Sequence, residues 1–157
     1  MQFIDLKSQQ KIIRKKIEKR IQNVLNHGKY IMGPEIQKLE ERLADYVGVK
    51  YSVSCSSGTD ALLIPLMAKN IKSGDAVITT PFTYIATAEV IALVGAEPIF
   101  VDVDPVTFNI NPGLIEDAIS KSVNKGLIPK AIISVDLFGL PARYRLIEAI
   151  AKNYNLF

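Results

Sequence analysis

Short apolar segments alternate with helical segments along most of this chain, and no other feature restricts its fold as strongly. Four segments have the length and composition of strands: residues 51–54, 76–79, 97–101 and 131–135. Strands that alternate with helices build a parallel sheet whose two faces are both covered by helices. We therefore predict an α/β fold with three layers, α/β/α, around a largely parallel sheet.

The helical segments have recognisable ends. Pro34 suits the first turn of a helix over residues 34–46, and Gly48 suits the end of that helix. Asn111 and Pro112 begin another helix in the same way. Further helices are predicted over residues 59–69, 83–93 and 142–154. Because no repeat, low-complexity tract or linker interrupts the pattern, we predict no internal domain boundary.

A further helix near the N-terminus is basic on its outer face. Between Lys7 and Arg20 the sequence has seven basic residues and one acidic residue, so this segment carries +6 and the rest of the chain −3. A nucleic acid or a membrane surface would suit such a face, but no aromatic residue interleaves the charges. We favour a solvated face or one that docks a partner subunit, and predict neither nucleic-acid nor membrane binding. Its apolar residues recur at helical spacing: Ile13, Ile17, Ile21, Val24 and Leu25.

The composition is that of a globular chain, with 157 residues of which 48% are hydrophobic. No apolar segment is long enough to span a bilayer, and the opening MQFIDLKSQQ lacks the apolar core of a secretory signal. We therefore expect a cytoplasmic location. The single cysteine, Cys55, fits a reducing compartment, and we interpret it as a small residue packed at a strand end. No metal site is predicted.

The sequence CSSGTDAL, residues 55–62, follows a predicted strand and opens a predicted helix. Backbone N–H groups at such a turn, together with the positive end of the helix dipole, form an anion site. Phosphate is the expected occupant. Since Ser-Gly-Thr is common in turns, this motif alone is a weak signal.

Three more clusters follow predicted strands, and the carboxyl ends of parallel strands are where ligands of such sheets bind. Together with residues 56–59 they are residues 81–84, 102–104 and 136–139. An anion site beside the aromatic ring of Tyr84 suits a phosphorylated planar ring. The alternatives are that Tyr84 belongs to the core and that Asp102 and Asp104 are turn residues, and for the two aspartates we favour the turn.

Four motifs occur in a fixed order: GKYIMGPEIQKLEERLADYVG, CSSGTDAL, TTPFTYIATAEVIALVGAEPIFVDVDPVTFNI and VDLFGLPA. In this order the chain resembles the DegT/DnrJ/EryC1/StrS family of sugar-nucleotide aminotransferases, which use pyridoxal 5′-phosphate. The resemblance runs from Phe3 to Phe157. The stretches FIDLK and HGKYIMGPE further resemble the branch that aminates C3 of a UDP-2-acetamido-3-oxo hexuronate.

The resemblance implies roles for individual residues. Ser57, Gly58 and Thr59 match the turn that binds the cofactor phosphate. Tyr84 matches the aromatic residue that stacks on the pyridine ring. Three further residues lie beside these positions: Phe82 as a supporting wall, Asp60 as a charge that favours the helix N-terminus, and Asp136, which departs from the family pattern and is assigned no ligand role.

The resemblance also implies a fold, that of part of the large domain of fold-type I pyridoxal-phosphate enzymes. Residues 1–157 would be a single incomplete domain, because family members continue past the counterpart of Phe157 into a strand with a pyridine-binding aspartate and later a Schiff-base lysine. The lysines near the C-terminal end match no such position, so we assign no catalytic residue and expect the chain alone to be inactive. They are Lys121, Lys125, Lys130 and Lys152.

The implied activity is transfer of an amino group from glutamate to a keto sugar nucleotide, for the biosynthesis of cell-surface polysaccharide or lipopolysaccharide, by an enzyme that is a homodimer. Two alternatives stay open. The chain is a non-catalytic α/β module that binds a phosphorylated ligand, or it is one half of a split enzyme.

Overall fold

The computed structural model describes residues 3–157, which form two compact units. The first unit ends at Ser54 and the second spans Cys55–Phe157. The single-domain organisation stays a prediction. Within residues 3–157, no helix combines the length and the apolar character that crossing a membrane requires.

The first unit consists of two helices, α1 (Leu6–His27) and α2 (Pro34–Val47). Asp5 begins α1 by accepting a hydrogen bond from the Ser8 N–H. Pro34 opens α2, and Gly48 ends it in the left-handed conformation with its N–H bonded to the Ala44 carbonyl, as predicted. Every residue of α1 stays at least partly exposed.

The predicted strand over residues 51–54 is wrong. Tyr51 and Val53 are exposed, and the Ser54 N–H and hydroxyl both donate to the Glu40 carboxylate, at 2.8 and 2.7 Å. A strand needs a neighbouring strand for its backbone hydrogen bonds. In the part of the chain that the structure describes, this segment has none, so its apolar composition does not make it a strand.

The second unit contains a parallel sheet in the order β2-β1-β3. Its strands are β1 (Asp75–Thr79), β2 (Glu97–Phe100) and β3 (Ile128–Ile132). Its helices are α3 (Gly58–Ala68), α4 (Ala86–Leu93), α5 (Ile115–Asn124) and α6 (Tyr144–Asn153). Single 3₁₀ turns lie at Pro112–Leu114 and Leu137–Gly139.

Strand β1 lies at the centre of the sheet, and all five of its residues are buried. Ala76 and Ile78 pack into one apolar cluster with α5 and α6, while Val77 packs into the other with α3 and α4. Successive side chains of a strand point to opposite faces, so the alternation places one core on each side. This confirms the three-layer α/β/α prediction.

Two predicted boundaries are displaced. Strand β3 begins and ends three residues earlier than predicted, because Ile128 pairs with Asp75 and the register then shifts by one residue beside Pro129. The helix predicted over residues 83–93 begins only at Ala86. Residues 81–84 are therefore a loop at the carboxyl end of β1, available for a site rather than for helix formation.

Candidate functional site

The turn before α3 is built by its serine cap. Ser57 has extended backbone, and its hydroxyl accepts a hydrogen bond from the Asp60 N–H at 3.1 Å. The Ala61 N–H donates to the Ser57 carbonyl at 3.0 Å, which closes the first helical turn. The N–H groups of Gly58 and Thr59 are among the first four of the helix, which have no partner inside it. They are the donors that an anion at this helix end would use.

The surroundings of these donors are open and polar. Gly58 is exposed, and a side-chain carbon added there would meet no atom within 4 Å. The Asp60 carboxylate accepts hydrogen bonds from the hydroxyls of Ser56 and Ser57, so Asp60 orders the turn as well as lying at the positive helix end. Cys55 is exposed and its thiol donates to the Ser57 carbonyl, so the prediction of a packed cysteine at a strand end is wrong.

Tyr84 lies in the loop after β1 with 77% of its surface exposed. The alternative that Tyr84 is a core residue is therefore wrong, and its ring is available to a ligand. The loop is ordered by short-range bonds: the Phe82 N–H donates to the Thr80 hydroxyl, and the hydroxyls of Thr83 and Thr87 lie 3.0 Å apart. Within residues 3–157, no hydrogen bond or ion pair joins this loop to the turn before α3.

Three phenylalanines form an aromatic cluster across the loops that follow the three strands. Ring centroids are 5.8 Å apart for Phe82 and Phe108, 6.4 Å for Phe82 and Phe138, and 6.3 Å for Phe108 and Phe138. Phe108 and Phe138 have left-handed backbone, with φ of 60° and 55°. For a bulky residue this conformation costs on the order of 1–3 kcal/mol and is common at functional sites.

Buried Asn109 joins two of these loops. Its side-chain oxygen accepts from the Leu137 N–H at 2.9 Å, and its side-chain nitrogen donates to the Leu140 carbonyl at 2.8 Å. Neither this residue nor the aromatic cluster was predicted from the sequence, although Phe82 was expected to be a wall of the site. The available signal was that each phenylalanine lies in the segment after a predicted strand, three residues after its end for Phe82 and Phe138 and seven for Phe108.

Asp102 and Asp104 are turn residues, as favoured. The Asp102 carboxylate accepts from the Val103 N–H at 2.8 Å. Backbone N–H groups of Thr107 and Val106 bond to Asp104 and lower the pKa of its carboxyl group, and Arg143 lies 3.6 Å away. These carboxylates stabilise the loop after β2 and need no ligand to explain them.

Asp136 is likewise used by its own loop. Its carboxylate accepts from the Ala142 N–H at 2.9 Å and from the Tyr144 hydroxyl at 2.8 Å. Burial raises the pKa of Tyr144, a hydrogen bond with Ser134 opposes this rise, and the hydrogen bond to Asp136 adds to it. Four clusters were expected to converge. Three of them, in the loops after β1, β2 and β3, meet through the aromatic cluster and Asn109.

The chain is similar to proteins of known activity. It is 53% identical over 156 residues to the UDP-2-acetamido-2-deoxy-3-oxo-D-glucuronate aminotransferase of Pseudomonas aeruginosa. The aligned region covers 99% of this chain and 42% of that relative. The chain thus covers about two fifths of the length of the relative.

Solved structures agree. An aminotransferase from Brucella abortus matches all of this chain and 42% of its own, with a TM-score of 0.96 and 51% identity. A Bacillus subtilis protein with its bound cofactor, pyridoxamine phosphate, matches 90% of this chain and 31% of its own, with a TM-score of 0.83 and 35% identity. The model of the DegT/DnrJ/EryC1/StrS aminotransferase family matches residues 11–157. With fold, motifs and relatives in agreement, this chain belongs to the DegT/DnrJ/EryC1/StrS aminotransferase family.

Proposed function

We propose that this chain carries the phosphate-binding turn and the ring-stacking surface of an aminotransferase that moves an amino group from glutamate to a keto sugar nucleotide. The family depends on pyridoxal phosphate. The observation that carries the proposal is the serine-capped turn before α3, where the N–H groups of Gly58 and Thr59 have no partner inside the helix and the side-chain position of Gly58 is open.

The residues present fit the cofactor phosphate. A phosphate dianion at this helix end would accept from the two N–H groups and from the Thr59 hydroxyl. Hydrogen bonds to a charged group contribute roughly 1.5–3 kcal/mol each. The Asp60 carboxylate repels the phosphate, but this carboxylate already accepts hydrogen bonds from two serine hydroxyls. Several charge-assisted bonds therefore outweigh one solvated, hydrogen-bonded carboxylate.

The exposed ring of Tyr84 fits the planar part of the cofactor, because offset stacking of two planar rings is favourable. When bound, pyridoxal phosphate supplies the electron sink that amino transfer requires. The residues of this chain bind and orient it: Ser57, Gly58 and Thr59 hold the phosphate and Tyr84 the ring. We assign no proton transfer to any of its side chains.

The finer identity rests on the relatives. The activity of the Pseudomonas aeruginosa relative supports a UDP-2-acetamido-3-oxo hexuronate as acceptor. We also propose a role in cell-surface polysaccharide or lipopolysaccharide biosynthesis. We further propose that the enzyme works in the cytoplasm as a homodimer. Analytical ultracentrifugation of the enzyme at several concentrations would test the homodimer. A monomer at every concentration would contradict it.

The test is titration of the chain with pyridoxal phosphate, followed by cofactor absorbance. Thr59→Ala should raise the dissociation constant about tenfold or more, because it removes one bond to a charged group. Ser120→Ala is the matched control, since Ser120 donates only to the Glu116 carbonyl on α5. Inorganic phosphate should compete with the cofactor.

Two outcomes would contradict the proposal. If Thr59→Ala and the unchanged chain bind pyridoxal phosphate with equal affinity, the turn before α3 does not bind the cofactor phosphate. Equal affinities for pyridoxal phosphate and for phosphorylated ligands without a pyridine ring would favour the non-catalytic module instead, because Tyr84 would then add nothing.

A further inference from the structure

The loop that carries Tyr84 has hydrogen bonds within itself and aromatic contacts to other loops. Its hydrogen bonds, among residues 3–157, run only within residues 80–87. The aromatic cluster is different, because the Phe82 ring contacts Phe108 from the loop after β2 and Phe138 from the loop after β3. Phe82 precedes Tyr84 by only two residues, so contacts that hold Phe82 restrict the backbone that carries Tyr84.

Burial does not explain why Phe138 is a phenylalanine. The residue is 82% exposed, so its ring gains little from removal of apolar surface from water. Its left-handed backbone would also be more stable with glycine. A large ring at a strained, exposed position is explained by what the ring touches, which is Phe82 and Phe108.

The other two members of the cluster are anchored differently. Phe108 is followed by Asn109, whose buried side chain bonds to the backbone on both sides of Phe138, at Leu137 and Leu140. The backbones that carry Phe108 and Phe138 are thus held together by two hydrogen bonds. Among residues 3–157, Phe82 has no hydrogen bond to either of these loops: its N–H donates to the Thr80 hydroxyl, and its ring is held by the other two rings.

We propose that Phe108 and Phe138 are positioning residues that act through Phe82 to fix the orientation of the Tyr84 ring. The inference rests on the proposed function in so far as that ring is the stacking surface for the cofactor. The orientation itself is a property of the chain alone and is measurable without the cofactor.

The chain contains no tryptophan, so Tyr84→Trp introduces a single fluorescent probe at the site. In this background, Phe138→Gly removes the ring and relieves the left-handed strain, while Phe138→Tyr keeps the ring. The time-resolved anisotropy of the indole should show a larger fast component in Phe138→Gly and the parental value in Phe138→Tyr. Phe108→Gly is the second variant and should act in the same direction.

A control separates positioning from general loosening. Leu140→Ala changes an exposed side chain of the same loop outside the aromatic cluster and should leave the indole as ordered as before. The urea midpoint of each variant is measured in parallel, and the loss of indole order in Phe138→Gly should occur without a matching loss of stability. Unchanged indole order in Phe138→Gly, or an equal change in Leu140→Ala, would overturn the proposal.

Cofactor titration of the same variants separates this inference from the proposed function. If the Tyr84→Trp chain binds pyridoxal phosphate, Phe138→Gly should raise the dissociation constant about two- to tenfold, the range of one lost aromatic contact. If the Tyr84→Trp chain and the unchanged chain both fail to bind it, the proposed function fails while the anisotropy still decides the positioning role. If the cofactor binds and the indole keeps its order in Phe138→Gly, the positioning role alone fails.

Discussion

The two units of this chain are stabilised in different ways. In the second unit β1 is buried along its whole length, and helices cover both faces of the sheet. In the first unit α1 has no buried residue, and the isoleucines of its apolar face, such as Ile17 and Ile21, are 41% and 54% exposed. The second unit owes its stability to burial, whereas the first depends on local interactions along its helices.

Those local interactions are individually weak. Arg14 pairs with Glu18 at 2.7 Å, and Gln37 donates to Glu41 at 3.1 Å, both one helical turn apart. Each such pair stabilises a helix by only about 0.2–0.5 kcal/mol. A helix held mainly by caps and surface pairs frays readily, because most helix stability in proteins comes from packing. The contrast between the units therefore predicts where substitutions will matter.

The largest difference is expected between two isoleucine substitutions. Ile78→Ala in β1 empties a fully buried position and should lower the free energy of unfolding by about 2–5 kcal/mol. Ile17→Ala in α1 changes a partly exposed side chain and should stay within about 0.5 kcal/mol. Urea unfolding followed by circular dichroism measures both. Equal losses would show that the α1 face is as well packed as β1, and the comparison would fail.

The sequence was sufficient where burial decides the structure. Strand β1 was placed within one residue, because a continuous apolar run favours a strand that is buried on both faces. Strand β2 was placed as closely, although Ile99 is its one buried residue. The sequence was insufficient for residues 51–54, because a strand forms only where a neighbouring strand pairs with it, whatever its composition. The predicted bounds of β3 were also wrong, because the register shift beside Pro129 arises from the pairing of β3 with β1.

The candidate site likewise has one part that could be predicted from the sequence and one part that could not. The turn before α3 was predictable, since a serine cap followed by glycine is a local signal. The aromatic cluster was not, because its geometry depends on the left-handed backbone of Phe108 and Phe138, which no residue preference indicates. Asn109 was equally hidden, because its partners at Leu137 and Leu140 lie about thirty residues away in sequence.

A smaller effect is expected at the end of α2. Gly48 has φ of 77°, and an added side chain would meet no atom within 4 Å, so Gly48→Ala incurs backbone strain alone, about 1–2 kcal/mol. Because the first unit is held locally, amide exchange should accelerate in α2 and stay unchanged in β1. Gly48→Asn should recover part of the loss, since asparagine tolerates this conformation. Acceleration in β1 as well would show that the two units unfold together.

The smallest effect is a pH dependence at Glu40 in the first unit. Hydrogen bonds from the Ser54 N–H and hydroxyl lower the pKa of Glu40 below its usual 4.5. A carboxyl group whose pKa is lower in the folded state stabilises that state above pH 4.5, and the stabilisation is lost as the pH falls through the lowered value. The Ser54 amide should therefore shift and exchange faster in this acidic window, while amides of β1 respond little. Glu40→Gln should abolish the pH response of Ser54, whereas Glu41→Gln, one residue along and bonded only to Gln37, should leave it intact. A Ser54 amide that titrates identically in Glu40→Gln would show that residues 51–54 are held by something other than this carboxylate.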